Sequence, residues 1–370
     1  MKCYGIDLHS DSFVFYTENV LNDQDSKLTR KCYLDELDKF KAKLSKDDYV
    51  AVEATSNAFW FYYQIKPYVK DCFVLDTNKI VVNGNKTDKI DAQKIFNLLA
   101  YYVYIQKLKN IPKVYIPPKE VIELRSLFST YNLGKKMRTQ VKNRIHSIFK
   151  INGICLDRKF LNSKSGKEKV LEIEINDIAR FQIKQLLTHL NFLDIEQKEI
   201  EDKIIFTGFC YFKNEIHLLL TIKGFSAFTA IALLTDIVDV KRFKTAKKFT
   251  CYLRTTPRIK SSNKTTHMNN LNRCGRSLTV TLLTQSLLHF KVAGPYFTEF
   301  YNRLRKGKSA GKSRLALIRK VLTAAYYMLK RGTEFFWKDN VNYQRKVHNL
   351  DLMITAFHRK NDINWQKEIA

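Results

Sequence analysis

Glycine, proline and acidic residues are scarce in this chain of 370 residues, which contains 12 glycines and 6 prolines. ATP-binding enzymes of the sugar-kinase type need Gly-rich phosphate loops, and so few glycines disfavour that class. The seven cysteines form no CxxC pair and are odd in number, which argues against a disulfide framework or a zinc site. The start turns polar too soon for a signal peptide, and no uncharged run of about 18 residues exists. We therefore expect a cytoplasmic protein without a membrane partner.

Positive charge is what the chain has in excess, with 64 Lys and Arg against 36 Asp and Glu and a formal net charge of +28. Residues 1–110 carry a net charge of only about +1, whereas residues 111–150 carry about +7. Residues 241–280 and 301–350 carry about +11 each. A solvated basic surface would explain one such stretch. Three of them beside a nearly neutral front segment favour nucleic acid as the partner.

Hydrophobic patterning predicts an α/β plus α fold. In residues 1–110 short apolar runs alternate with helical spacing, which indicates an α/β layer with a mixed sheet. The predicted strands are 2–8, 12–18, 49–54 and 72–77, the first two forming a hairpin, and the predicted helices are 34–45 and 86–102.

Residues 111–370 have mainly helical spacing of their apolar side chains. Residues 111–210 form a basic arm in which helices near 118–150 and 168–206 pair as an antiparallel coiled coil. Residues 211–340 form a second compact domain, with a turn at Gly224 between two apolar helical pieces, a polar stretch to about residue 276 and a further apolar helix. Residues 341–370 form a basic helical tail.

Four acidic residues occupy informative positions. Asp7 and Glu53 end apolar runs, and Asp88 and Asp91 lie three apart on one predicted helix face. Taken singly, each is commonplace, and Asp88 and Asp91 would pair with neighbouring lysines. Gathered together, the four carboxylates would repel one another unless cations neutralise them. Hard oxygen ligands suit Mg²⁺ or Mn²⁺, and such ions support phosphodiester chemistry.

The segments GIDLHSDSF, VEATSNAFWFYY and KTDKIDAQKIFNLL resemble the three blocks of the Piv/MooV-type DEDD transposases of bacterial insertion sequences. Downstream, TIKGFSAFTAIALLTDIVDVKRFKTAKKFTCYLRTTPRI resembles the C-terminal transposase domain of that family. The blocks stand at both ends of the chain in the family's order. The resemblance implies an RNase H/RuvC-like N-terminal domain and a C-terminal domain with a helix-hairpin-helix-like turn.

Residue roles follow from the resemblance by position. Asp7, Glu53, Asp88 and Asp91 match the metal-binding, catalytic tetrad, which implies Mg²⁺ or Mn²⁺ as cofactor. The family's catalytic serine falls at Ser262, with Ser261 as the near alternative, and metal ions held by the tetrad would activate it if the two domains close over one phosphate. The residues expected to hold nucleic acid are Gly224, Arg258, Lys260, Lys264, Arg273, Arg303 and Arg305.

The partners implied are the DNA of the element ends and target, a structured guide RNA, and further copies of the chain in a dimer or tetramer joined through the helical arm. A guide RNA would read sequence by base pairing while the protein holds the backbone. The implied location is the bacterial cytoplasm, in association with the nucleoid.

Three positions depart from the family pattern: glycines are replaced by Ser226, Arg254 and Asn263. Asparagine tolerates left-handed backbone better than most residues, so Asn263 is the milder change and Arg254 the harder one to accommodate. Two other functions remain open. One is a RuvC-like structure-specific DNA endonuclease that uses no serine; the other is an inactive, transposase-derived nucleic-acid-binding protein.

Overall fold

The computed structural model describes residues 1–18, 28–76, 87–104, 111–262, 265–271 and 275–361, and for residues 258–262 and 265–270 it describes the backbone alone. The contacts divide the chain into two compact units, Met1–Pro117 and Pro118–Ala370.

The first unit is built on a five-stranded sheet in the order β3-β2-β1-β4-β5. Its strands are β1 Cys3–Leu8, β2 Ser12–Thr17, β3 Leu28–Tyr33, β4 Tyr49–Glu53 and β5 Asp71–Leu75. β1, β2 and β3 form an antiparallel meander, whereas β4 and β5 run parallel to β1. Parallel neighbours need crossover connections, and helix α2, Ala58–Ile65, lies between β4 and β5 in the chain.

Each face of the sheet has its own core. On one face, Ile6 and Val52 pack with Phe61 of α2 and with Phe40 of the short helix α1, Leu37–Lys41. On the other face, Ala51 and Leu75 pack with the buried stripe of helix α3, Asp88–Val103. Since alternate residues of a strand face opposite sides, Gly5 and Asp7 share the α3 face.

Gly5 sets the distance between β1 and α3. A Cβ atom there would lie 2.2 Å from the Phe96 backbone nitrogen and 2.3 Å from the Ala92 carbonyl oxygen. Only glycine permits this approach, because both obstructing atoms belong to the helix backbone. The helix therefore lies directly on the strand that carries Asp7.

The second unit begins with two long helices, α4 Lys119–Ile151 and α6 Asp177–Leu220, with α5 Lys164–Val170 between them. They pack antiparallel: the Gln197 side-chain amide donates to the Tyr131 carbonyl oxygen at 3.1 Å, and Arg138 pairs with Asp194. At its 33 residues, α4 is about 50 Å long. α6 has a non-helical residue, Phe212, at a kink.

The remaining helices of this unit place their buried side chains in a shared hydrophobic core with the C-terminal half of α6. The helices are α7 Ala227–Ile237, α8 Ala246–Tyr252, α9 Leu278–Gln285, α10 Leu287–Lys291, α11 Pro295–Gly307, α12 Ala310–Arg331 and α13 Asn340–Asn361. An antiparallel hairpin, β6 Pro257–Ser262 and β7 Thr265–Leu271, follows α8. The ammonium of Lys346 on α13 donates to the carbonyl oxygens of Leu220 and Ile222, which ties the tail to the end of α6.

The expected combination of an α/β layer with a mainly helical remainder is confirmed. The first hairpin, the strands near 49 and 72 and the helices near 86 and 118 also lie where expected. Strand β3 and the β6–β7 hairpin are not among the strands predicted from the sequence. The expected helix over 34–45 is a 3₁₀ turn, Leu34–Glu36, followed by α1, and the one over 168–206 is divided between α5 and α6. Among the described helices, none combines the length and apolar character that a bilayer crossing requires.

Candidate metal centre

Two of the four predicted carboxylates lie side by side on neighbouring strands. Ile6 of β1 is paired with Val52 of β4, so Asp7 and Glu53 are the next residues of the two parallel strands. Both face α3, because each is two residues beyond a residue packed on that side. Asp7 is 7% exposed and Glu53 is half-buried at the end of its strand.

The other two carboxylates begin the helix that lies on that face. Thr87 caps α3 by accepting a hydrogen bond from the Ile90 amide, and Asp88 and Asp91 occupy the first turn. Acidic side chains are stabilised there by the unpaired amides and dipole of the helix terminus. The Lys94 ammonium lies 3.3 Å from an Asp91 carboxylate oxygen, which neutralises that side chain in part.

His9 joins this group, although the sequence reading did not select it. Its Nε2 lies 3.5 Å from Asp7 Oδ2 and 3.2 Å from Asp88 Oδ2. The Asn57 side-chain amide donates to the His9 carbonyl oxygen at 2.7 Å and holds the turn after β1. The available signal was the spacing Asp-x-His at a strand end.

The ligand atoms of Asp7, His9 and Asp88 all lie within 4.8 Å of one another. His9 Nε2 is buried and, despite its closeness to two carboxylates, makes no hydrogen bond to any described residue. A buried nitrogen without a hydrogen-bond partner is costly, and a cation shared with two carboxylates would satisfy it. The donor set therefore fits a divalent metal ion, and its nitrogen suits Mn²⁺ better than Mg²⁺.

The other three predicted carboxylates also interact electrostatically with Asp7. Burial raises the pKa of Asp7 to about 6; His9 opposes that rise, and the negative charges of Glu53, Asp88 and Asp91 add to it. The direction follows because burial and like charges both disfavour the ionised form. A bound cation would reverse the balance and keep Asp7 ionised.

The residues predicted in the second unit are described to different extents. Gly224, in the turn between α6 and α7, has φ +113°, and a Cβ there would lie 2.8 Å from the Phe290 ring. Arg303 and Arg305 are exposed on α11. The backbones of Arg258, Lys260, Ser261 and Ser262 lie in β6, and Ser262 is paired with Thr265 across the hairpin. Their side chains, together with all of Asn263, Lys264 and Arg273, lie outside the described part of the chain.

The backbone conformation shows the consequence of two residues that replace glycines of the family pattern. Ser226 has φ −98° and caps α7 in a reciprocal capping box with Thr229, so no glycine is required there. Arg254 has φ +55°, in the left-handed region that favours glycine. The backbone at Arg254 is therefore strained by its side chain.

Fold and site together define a protein with a carboxylate-bearing α/β unit followed by a basic, mainly helical unit. Residues 216–302, within the second unit, match the model of the transposase IS116/IS110/IS902 family. This match supports an insertion-sequence transposase, whose partner is DNA. No curated protein matches the chain.

Proposed function

We propose that the chain is a metal-dependent DNA recombinase of the DEDD type, which cleaves and exchanges the strands of an insertion sequence through a serine-linked DNA intermediate. The observation that carries this is the gathering of Asp7, His9 and Asp88 within 4.8 Å, in a chain whose residues 216–302 match a transposase family. Supporting it are the electrostatic influence of Glu53 and Asp91 on Asp7 and the basic second unit.

In this proposal Asp7, Glu53, Asp88 and Asp91 hold Mg²⁺ or Mn²⁺, with His9 as an added nitrogen ligand. The metal would supply charge neutralisation of the phosphate and a lower pKa for a coordinated hydroxyl. The strand order, with an antiparallel meander on one side of β1 and parallel strands on the other, is compatible with an RNase H/RuvC-like domain.

Ser262 is the proposed nucleophile, with Ser261 as its alternative. Its hydroxyl oxygen bonds to phosphorus as it loses its proton, and the phosphorus–oxygen bond to one DNA strand breaks. The released DNA hydroxyl takes up a proton, and a phosphoserine ester to the other strand end remains. A second DNA hydroxyl then attacks the ester, which rejoins DNA and restores the serine.

Arg258, Lys260, Lys264 and Arg273 are proposed to hold the phosphates around this serine, with Arg303 and Arg305 contacting the backbone further along. The turn at Gly224, just before the N-terminus of α7, is proposed to hold a further phosphate. We further propose a structured guide RNA as partner, assembly as a dimer or tetramer, and action at the bacterial nucleoid. The exposed apolar side chains Ile178, Phe181, Phe192 and Ile195 on α6 support assembly through the arm.

Trapping of the covalent intermediate tests the proposal. The chain is incubated with Mn²⁺ and DNA carrying the element ends, together with the adjacent non-coding transcript, and then denatured. A protein–DNA adduct should form, survive in Ser261→Ala, and disappear in Ser262→Ala and in Asp7→Asn.

Two outcomes would contradict it. Hydrolytic cleavage that persists in Ser262→Ala without an adduct would identify a RuvC-like endonuclease. DNA binding without any reaction in Mg²⁺ or Mn²⁺ would identify an inactive, transposase-derived binding protein.

A further inference from the structure

An exposed aromatic surface lies where α11 begins, beside the loop between α12 and α13. Its three exposed rings are those of Tyr296, Phe336 and Trp337, which are 42%, 89% and 38% exposed. Large aromatic side chains are costly to leave in water, so three of them together indicate a binding surface. We refer to these three residues as the aromatic platform.

The platform is held in place from below. Phe297 and Phe335 are buried and stack with ring planes 3° apart, and the Phe335 amide donates to the Thr221 hydroxyl oxygen at 3.1 Å. Trp337 lies against the backbone at Gly294, where a Cβ would come within 2.7 Å of the indole. The Trp337 ring and the backbone beside Phe335 are therefore held before any partner arrives, which reduces the entropy lost on binding.

The rings of the aromatic platform lie next to one another. The Tyr296 and Trp337 planes are 8° apart with centroids at 6.3 Å, and Tyr296 is similarly parallel to the partly buried Phe300 at 6.0 Å. Phe336 stands at 86° to Trp337 with centroids 5.5 Å apart. Flat, parallel faces of this kind are suited to stacking with planar ligands.

Cations border the platform. The Lys320 ammonium lies 5.6 Å from the Tyr296 centroid and 5.4 Å from that of Phe300, and the exposed Arg303 guanidinium lies 5.9 Å from Phe300. In an isologous contact with a second copy, these cations would lie close to the same cations of that copy, and the like charges would repel one another. Planar rings next to cations instead complement bases joined by phosphates.

We propose that the aromatic platform binds unpaired nucleotides, with bases stacking on Tyr296, Phe336 and Trp337 and phosphates contacting Lys320 and Arg303. Duplex would bind poorly there, because its base faces are already stacked except at the ends. The proposal concerns a surface remote in sequence from the carboxylates and does not depend on catalysis or on the proposed serine.

The test measures anisotropy of labelled single strands of about 20 nucleotides, oligo-dT and oligo-U, and of a duplex of equal length, without divalent ions. Phe336→Ala and Tyr296→Ala should each weaken single-strand binding by about 5- to 100-fold and leave duplex binding unchanged. Tyr296→Phe should bind within about twofold of the parent chain, because the ring is kept.

Tyr68→Ala is the matched control, because Tyr68 is 44% exposed and has the Lys41 ammonium 5.7 Å from its centroid. It should bind as the parent chain does. Lys320→Ala should lower the slope of log affinity against log salt by about 0.7, which Tyr296→Phe should not do.

Preference for oligo-U or for oligo-dT would identify the strand as RNA or DNA, and either supports the proposal. Unchanged single-strand affinity in Phe336→Ala would overturn it, as would an equal loss for single strand and duplex. A loss of self-association in Phe336→Ala with nucleotide binding intact would assign the surface to a second copy instead.

Discussion

The two units of the chain handle charge in opposite ways. In Met1–Pro117 short elements bury Asp7 and bring other carboxylates toward it, and the burial first, then the like charges, raise the pKa of Asp7. In Pro118–Ala370 long helices carry an excess of lysine and arginine, and many of these side chains are exposed to solvent. The first arrangement depends on close packing of a few side chains, whereas the second presents many exposed charges that attract any polyanion nearby. Substitutions should therefore have sharp, local effects in the first unit and graded effects in the second.

The largest effect is expected from Asp7→Asn. Loss of the central carboxylate should reduce strand cleavage by at least about 1,000-fold and weaken Mn²⁺ binding, measured by the electron paramagnetic resonance of free Mn²⁺. Asp38→Asn is the control, since Asp38 is exposed in the same unit and pairs with Lys41. If Asp7→Asn cleaved DNA as fast as the parent chain, the carboxylates would have no role in strand cleavage.

Gly5→Ala should be the next largest. The added methyl meets the backbone of α3 and should cost about 3 kcal/mol or more of unfolding free energy. It should also weaken Mn²⁺ binding, because Asp88 and Asp91 start the displaced helix. Gly311→Ala on α12 is the matched control in the second unit, where a Cβ meets nothing within 4 Å. If both variants melt like the parent, the proximity of β1 and α3 does not stabilise the unit.

The raised pKa of Asp7, about 6 against an ordinary 3.8, has a definite sign. Folding favours the protonated form of Asp7, so this contribution to stability is fully present below about pH 4, falls by at most about 3 kcal/mol as the pH rises from about 4 to about 6, and stays lost above that. Without divalent ions, hydrogen exchange in β1 should be faster at pH 8 than at pH 5, after correction for intrinsic rates. Asp7→Asn should abolish that difference, and a pH-independent result in the parent would contradict the assignment.

The smallest effects are expected at two positions of the second unit. Arg254→Gly should stabilise by up to about 1 kcal/mol, because it relieves a left-handed arginine. Ser226→Ala should destabilise by about 1 kcal/mol, because it removes the cap of α7. Melting temperatures check both, and a lower value for Arg254→Gly would mean that the guanidinium contributes more than the strain costs.

Much of the first unit was predictable because its strands are short runs of mostly apolar residues with polar residues at both ends. The same boundaries located Asp7 and Glu53, and the helical spacing located Asp88 and Asp91. β3 was missed because its sequence, LTRKCY, is mostly polar at the sheet edge and resembles a loop. His9 was missed because a turn residue shows no periodicity, and only the folded turn brings it to the carboxylates.

The second unit shows where local patterns fail. The segments PRIKSS and TTHMNNL are too polar to predict as strands, and their pairing is seen only in the hairpin register. Nothing in the residues around Arg254 predicts a positive φ there, although resemblance to a family with glycine at that place pointed to it. Tyr296 and Trp337 lie some forty residues apart in sequence, so their surface required the fold.

The antiparallel pairing of α4 with α6 restricts how the arm can change in length. Near the tip Ile145 and Ile183 share one core, and further down Leu124 and Phe209 share another, so each position on one helix has a fixed partner on the other. A single inserted residue would rotate the apolar stripe of one helix by about 100°. Insertions and deletions should therefore be tolerated in relatives only as matched sets on both helices, near multiples of a helical repeat.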